Sequence, residues 1–219
     1  MEFIKYGMLA LFFLSTGIHL YASLKKDKDL RNKTKPFILL SLLGFYLLAA
    51  DPILVTVVLA LMFSWLGDVL LMRKGTKWFA IGGVAFMVSH LFFIVSYQRE
   101  TDFGAFSWIT AVLLITVFVT ASLTVFKYLR LHLPKRLFYP MLAYLIINGL
   151  MNCFAWFRSL SIGGTAGIVT AVGAFLFFVS DCSLFFVRFH KESRLKTHFL
   201  VMLTYSLGEL LIVLGLIMG

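Results

Sequence analysis

The sequence predicts an all-α, polytopic membrane protein with eight transmembrane helices, and three observations carry that expectation. Of its 219 residues, 61% are hydrophobic and only 14% are charged, with a mean hydropathy of +0.95. Soluble chains are roughly half apolar and a quarter charged, so this one has too much apolar surface to hide from water. The apolar residues fall in runs, most of them near the roughly 20 residues a span requires. Between the runs lie short connections, and the basic residues crowd into alternate ones.

Taken in order, the expected helices are Phe3–Leu24, Pro36–Ala50, Ile53–Met72, Trp78–Gln98, Phe106–Leu129, Phe138–Phe157, Ile162–Phe189 and His198–Met218. The first run is long enough to span and precedes a strongly basic loop, so it reads as a helix and not as a cleavable leader. The second is short for a span. Asp51-Pro52 is expected to close it and to open the third in a tight turn, because proline suits the first turn of a helix. Together the helices make one transmembrane domain, residues 1–219.

The net charge is +10. In a soluble protein that would suggest nucleic acid, but here no nucleic-acid partner is expected. Seventeen of the twenty Lys and Arg residues lie in the connections after the first, third, fifth and seventh helices, from Lys25 to Lys35, Arg73 to Lys77, Lys127 to Arg136 and Arg188 to Lys196. Only Lys5, Arg99 and Arg158 fall on the other side. The positive-inside rule makes the basic side cytoplasmic and sends both termini outward, which needs an even number of spans. The same charges attract anionic headgroups, so membrane lipid is an expected partner. Cys153 and Cys182 lie in apolar runs without metal-ligand spacing and read as small buried hydrophobes.

A carboxylate inside a bilayer costs several kcal/mol unless it is paired, protonated or wetted, which makes it a functional candidate. Asp68 lies in Phe63-Ser-Trp-Leu-Gly-Asp-Val-Leu-Leu-Met72, and Asp181 in Phe175-Leu-Phe-Phe-Val-Ser-Asp-Cys-Ser-Leu-Phe-Phe-Val-Arg188. Each sits just before a basic connection, roughly 7–11 Å inside the boundary at the helical rise per residue. Their helices run in the same direction, so the two share a depth. Helices one to four and five to eight suggest a weak parallel repeat. Gly67-Asp68 answers Ser180-Asp181, Pro36 answers Pro140, and His90 answers Glu209.

Two adjacent carboxyls in a low-dielectric site cannot easily both ionise, so one becomes a general acid while the other stays charged. That division suits chemistry through an oxocarbenium-like cation. The plainer alternative is that each aspartate merely pins helices together. His90, near mid-span, either shuttles protons or packs. Glu209 shares a face with Tyr205 and reads as a neutral acid bonded to another helix or as part of the site. Tyr144, Asn148 and Asn152 form a polar stripe at four-residue spacing, which lines a wet cavity or glues helices. Lys35, at the mouth, either meets a phosphate or serves topology. No phosphate-binding loop, zinc motif, Gly-x-Ser-x-Gly or haem signature is present, so neither metal nor cofactor is expected.

These residues resemble the YhhN family of membrane proteins. The resemblance rests on Phe63–Met72, on Gly82-Gly-Val-Ala-Phe-Met-Val-Ser-His90, on Thr34-Lys-Pro36, on Tyr144 with Met151, and on Gly173–Asp181. It covers nearly the whole chain. It implies eight spans and lysoplasmalogenase activity: hydrolysis of the vinyl ether of a lysophospholipid to a fatty aldehyde and a glycerophospho-ethanolamine or -choline. It also implies Asp68 and Asp181 as catalytic, with Lys35, His90 and Tyr144 around them. The family more often carries glutamine where this chain has Glu209. The expected location is a bacterial inner membrane. A proton-coupled transporter of lipid or small molecules, with the same carboxylates as a relay, is the alternative. An aspartyl intramembrane protease ranks last, because Leu66 stands where its Gly-x-Gly-Asp needs glycine. The oligomeric state stays open.

Overall fold

The structure is a computed structural model, and it describes residues 2–190 and 198–219. The described residues form eight α-helices: α1 (Glu2–Leu24), α2 (Lys28–Ala49), α3 (Val55–Leu71), α4 (Thr76–Gln98), α5 (Trp108–Leu129), α6 (Phe138–Ile162), α7 (Gly164–Phe189) and α8 (His198–Ile217). A short 3-10 turn, Lys135–Leu137, leads into α6. Six of the helical segments are long and apolar enough to cross a membrane. The other two differ for visible reasons. Helix α3 is apolar but only 17 residues long, and the first two turns of α2 are heavily charged. The expected cations Lys191, Arg194 and Lys196 lie outside the described residues.

Three boundaries correct the sequence expectation. Helix α6 runs on to Ile162 instead of ending at Phe157, so Arg158 is helical and α7 begins at Gly164. Helix α2 starts at Lys28, not at Pro36. Asp27 caps it, accepting hydrogen bonds from Asp29 N at 3.1 Å and Leu30 N at 3.0 Å, as N-cap aspartates do. Pro36 therefore sits inside the helix, where its missing N–H leaves the Asn32 carbonyl without its usual helical donor. Helix α3 starts at Val55, so Pro52 is not in its first turn; Tyr46 Oη accepts from Leu54 N at 2.9 Å and holds that connection instead.

The helices pack as consecutive hairpins, α1 on α2, α3 on α4, α5 on α6 and α7 on α8. Helix α4 packs on α6, α6 on α7, and α8 returns to α1 and α2, so seven helices close a ring. Helix α5 lies outside it against α6 and α7, and only Phe118, Ser122, Phe126 and Leu129 of its residues are buried. Lipid offers no hydrophobic drive between helices, so small residues and close packing hold such bundles. In the α7–α8 seam, a methyl group on Gly173 would come within 2.6 Å of Ile212 N, and one on Gly208 within 2.9 Å of Gly173 O. That backbone-to-backbone approach holds α7, which carries Asp181, close against α8, which carries Tyr205.

Candidate active site

Asp68 lies in the last turns of α3 and is 2% exposed. Its Oδ1 pairs with Lys35 Nζ at 2.9 Å, and its Oδ2 accepts from Tyr205 Oη at 2.9 Å. Gly67 makes room for this arrangement: a methyl group there would lie 2.5 Å from the Phe86 ring. Trp65 Nε1 donates to the Pro36 carbonyl at 3.1 Å and ties α3 to α2 one residue from Lys35. Lys35 thus differs from its expected place at an open mouth. With α2 beginning at Lys28, Lys35 stands two turns into the helix and turns inward to a carboxylate.

Asp181 lies in α7 and is 5% exposed. Its Oδ2 accepts from Tyr144 Oη at 2.5 Å and from Asn148 Nδ2 at 2.7 Å. His90 Nε2 lies 3.2 Å from Tyr144 Oη and 3.4 Å from Asp181 Oδ2. The Tyr144 proton is committed to Asp181, so the network assigns the His90 proton to Nε2, donating to Tyr144 Oη. Asn152 Nδ2 donates to the Asn148 carbonyl at 3.0 Å and to its Oδ1 at 3.3 Å. That fixes which end of the Asn148 amide faces Asp181. Ser180 Oγ donates to Val201 O at 2.8 Å, pinning α7 to α8 beside the aspartate.

Both aspartates, Lys35 and Tyr205 line one cavity of about 340 Å³. Its outer wall is strongly basic, with Lys28, Arg31, Arg73, Lys74 and Arg188 around it, and with His19 and His198. The polar interior and cationic rim suit a ligand with an anionic end. Among the described residues, no three His, Cys, Asp or Glu side chains converge as a metal site requires.

The structure therefore brings Lys35, Asp68 and Tyr205 together, and sets them across a cavity from Asp181, Tyr144, Asn148 and His90. Glu209 stands apart. It is fully buried. Among the described residues its polar neighbour is Ser64 of α3, which also meets Ser89 at 2.8 Å. Of the two cysteines, Cys153 is buried as expected, whereas Cys182 is only half-buried; both are free. Sequence reasoning missed the rim residues His19, Arg31, Arg73, Arg188 and His198 as a group. The spacing of Lys28, Arg31 and Lys35 on one helical face was the available signal, hidden by starting the helix too late.

The chain is 36% identical over 159 residues to lysoplasmalogenase TMEM86B of Mus musculus, covering 71% of this chain and 61% of that protein. It thus spans about three fifths of the length of the curated relative it matches. No solved structure matches. The model of the YhhN family matches residues 30–216, which takes in every helix of the closed ring except α1, and the chain belongs to that family.

Proposed function

We propose that this protein is a membrane-embedded hydrolase that opens the vinyl ether of a lysoplasmalogen-type lysophospholipid, with Asp181 as acid and Asp68 as the cation-stabilising base. The single observation that carries this reading is the unequal setting of two buried carboxyls on one cavity. Asp68 faces an ammonium at 2.9 Å, the partner of an ionised carboxylate. Asp181 faces Tyr144, Asn148 and a histidine that donates to Tyr144. Among the described residues its two hydrogen bonds fall on Oδ2, and Oδ1 is the oxygen that carries the proton in this proposal. Unequal carboxyls are the general arrangement for dividing acid from base.

The chemistry follows. The π electrons of the vinyl ether take the Asp181 proton onto the β-carbon, forming a C–H bond and an oxocarbenium ion. The Asp68 carboxylate stabilises that cation. Water adds to the α-carbon and gives a proton to Asp68. The hemiacetal C–O bond to glycerol then breaks, the hydroxyl proton passing to the leaving oxygen, and aldehyde and glycerophospho-alcohol depart. Proton return from Asp68 to Asp181 through cavity water completes the cycle, with one water consumed. The basic rim receives the phosphate end. Tyr205 holds Asp68, while Tyr144, Asn148 and His90 hold Asp181.

The architecture proposed with this function is a single domain, residues 1–219, with eight spans and the basic face cytoplasmic. On that reading α2 and α3 enter the membrane as short spans, the termini face outward, and the two halves keep the trace of a parallel repeat. A bacterial inner membrane is the proposed location. The relative's printed name and the family membership support the activity.

The test is aldehyde release from lysoplasmalogen by purified protein in detergent. Asp181→Asn and Asp68→Asn are each expected to lose about 10²-fold or more, the scale of a lost general acid or a lost charge stabiliser, while remaining folded. Turnover that survives either change in folded protein removes that residue from the mechanism.

A further inference from the structure

A second recess, outside the cavity described above, lies in the seam between α4 and α6, with α7 at its back. It is small, about 70 Å³ against about 340 Å³, and its lining is almost wholly apolar. Phe79, Gly83 and Met87 of α4 face Met141 and Tyr144 of α6, and Phe185 of α7 closes the back. Its outer lip is formed by Val84, Pro140 and Ala143, all exposed on the bundle's flank.

The recess shares a wall with the aspartate cavity. Phe79 lines both. Tyr144 lines the recess with its ring and donates its hydroxyl to Asp181. Phe185 stacks edge-on against both, with centroids 6.1 Å from Phe79 and 5.4 Å from Tyr144. The rings of Phe79, Tyr144 and Phe185 thus pack together on the wall between the slot and the acid. The slot exists because small residues stand at its lip. A methyl group on Gly83 would meet nothing within 4 Å, and Ala143 faces it from α6. Two methionines on the walls give a surface that adapts to an unbranched chain.

From this we infer that the α4–α6 slot is the tail-binding site, taking the single hydrocarbon chain of the substrate, with Gly83 and Ala143 setting the chain it accepts. This rests on the proposed function. In a vinyl ether the carbon that takes the proton is the first carbon of the tail side, and the ether oxygen leads to the headgroup. A substrate whose headgroup lies at the basic rim thus presents its β-carbon toward Tyr144 and Asp181, and its tail toward the slot. The same orientation places the oxygen end toward Lys35 and Asp68, which matches the roles assigned to the two aspartates.

The experiment is photo-crosslinking in detergent with a long-tailed, non-hydrolysable ether lysophosphocholine carrying a diazirine at the tail end. Adducts are mapped by mass spectrometry with and without excess unlabelled lysolipid. The expected result is competable labelling along Gly83–Met87 and Pro140–Tyr144, reduced about tenfold in Gly83→Leu and in Ala143→Leu, the scale of a misfit in a hydrophobic pocket. Both leucines enter open or lipid-facing space, so each variant checks the folding of the other. In turnover, the loss of kcat/KM in both variants is about tenfold or more greater for a long-tailed lysoplasmalogen than for a short butenyl analogue. Competable labelling on other helices, or equal losses for long and short tails, overturns the slot. Labelling requires no chemistry, so the two readings fail separately. A competably labelled slot in a protein that releases no aldehyde keeps the tail site and overturns the activity. Aldehyde release with the tail labelled elsewhere does the reverse.

Discussion

Two cation–carboxylate pairs, each with one member buried, stand at opposite ends of this bundle, and they are built differently. At one end Arg158 is fully buried. Its Nε and Nη2 meet Glu100 at 2.8 and 2.6 Å, its Nη1 meets Thr170 at 2.8 Å, and Nη2 also reaches the Gly215 carbonyl at 3.2 Å. Arg158 ties the end of α6 to the segment after α4, to α7 and to α8, and it lines neither of the two recesses. At the other end Lys35 and Asp68 make one contact at 2.9 Å on the wall of a cavity. The guanidinium spends its planar fork on fixed partners, as arginine does at buried sites. The ammonium, a point charge, has Asp68 as its one partner among the described residues. Charge and one buried member are common to both pairs; a place on the wall of a cavity belongs to one. That difference separates a structural clamp from a site able to act on a ligand.

The comparison can be broken or sharpened by substitution. The largest effect is expected from Asp181→Asn, a loss of about 10²–10⁴-fold in aldehyde release for a lost general acid, with the melting transition nearly unchanged. Next is Arg158→Ala, which removes the partner of Glu100 and of groups on two helices, Thr170 of α7 and Gly215 of α8. It is expected to cost about 1–3 kcal/mol of stability, read as a lower unfolding midpoint in detergent, with activity per folded molecule retained. Lys35→Met should invert that pattern, reducing turnover about 10²-fold, as a displaced electrostatic group does, with a smaller drop in midpoint than Arg158→Ala. If Lys35→Met unfolds the protein while its folded fraction works normally, the two pairs are alike and the distinction fails. The smallest effect is expected from Glu209→Gln. That carboxyl lines neither recess, so turnover should stay within about threefold, well under the 10²-fold of a general acid. A loss as large as that of Asp181→Asn would place Glu209 in the chemistry.

The parts of this molecule that are legible in its sequence are those with a local signature. Asp68 and Asp181 announce themselves as lone charges in apolar runs. Tyr144 and Asn148 stand one helical turn apart, and the structure puts both on Asp181. The eight helices follow from apolar runs, and their ends mostly agree within a few residues. What stays hidden depends on contacts between helices. Nothing near Lys35 in sequence points to Asp68, because the pairing arises only when α2 packs on α3 through Trp65 and Pro36. Arg158 reads as one cation in a connection until the fold brings Glu100, Thr170 and Gly215 to it. The peripheral place of α5 is equally invisible, since its hydropathy is the highest among the candidate spans and a lipid-facing helix and a core helix are alike in that respect. The late start expected for α2 is the instructive miss. Pro36 reads as a beginning, whereas Asp27 holds the capping signal.

The measurement that tests the central claim most directly is hydrolysis of lysoplasmalogen in heavy water, with the aldehyde reduced as it forms and analysed by mass spectrometry. Protonation of the β-carbon by an exchanged Asp181 predicts one deuterium at carbon two of every product chain from the wild-type protein, with negligible product from Asp181→Asn. Aldehyde released without that deuterium would contradict carbon protonation, and with it the catalytic roles of both aspartates.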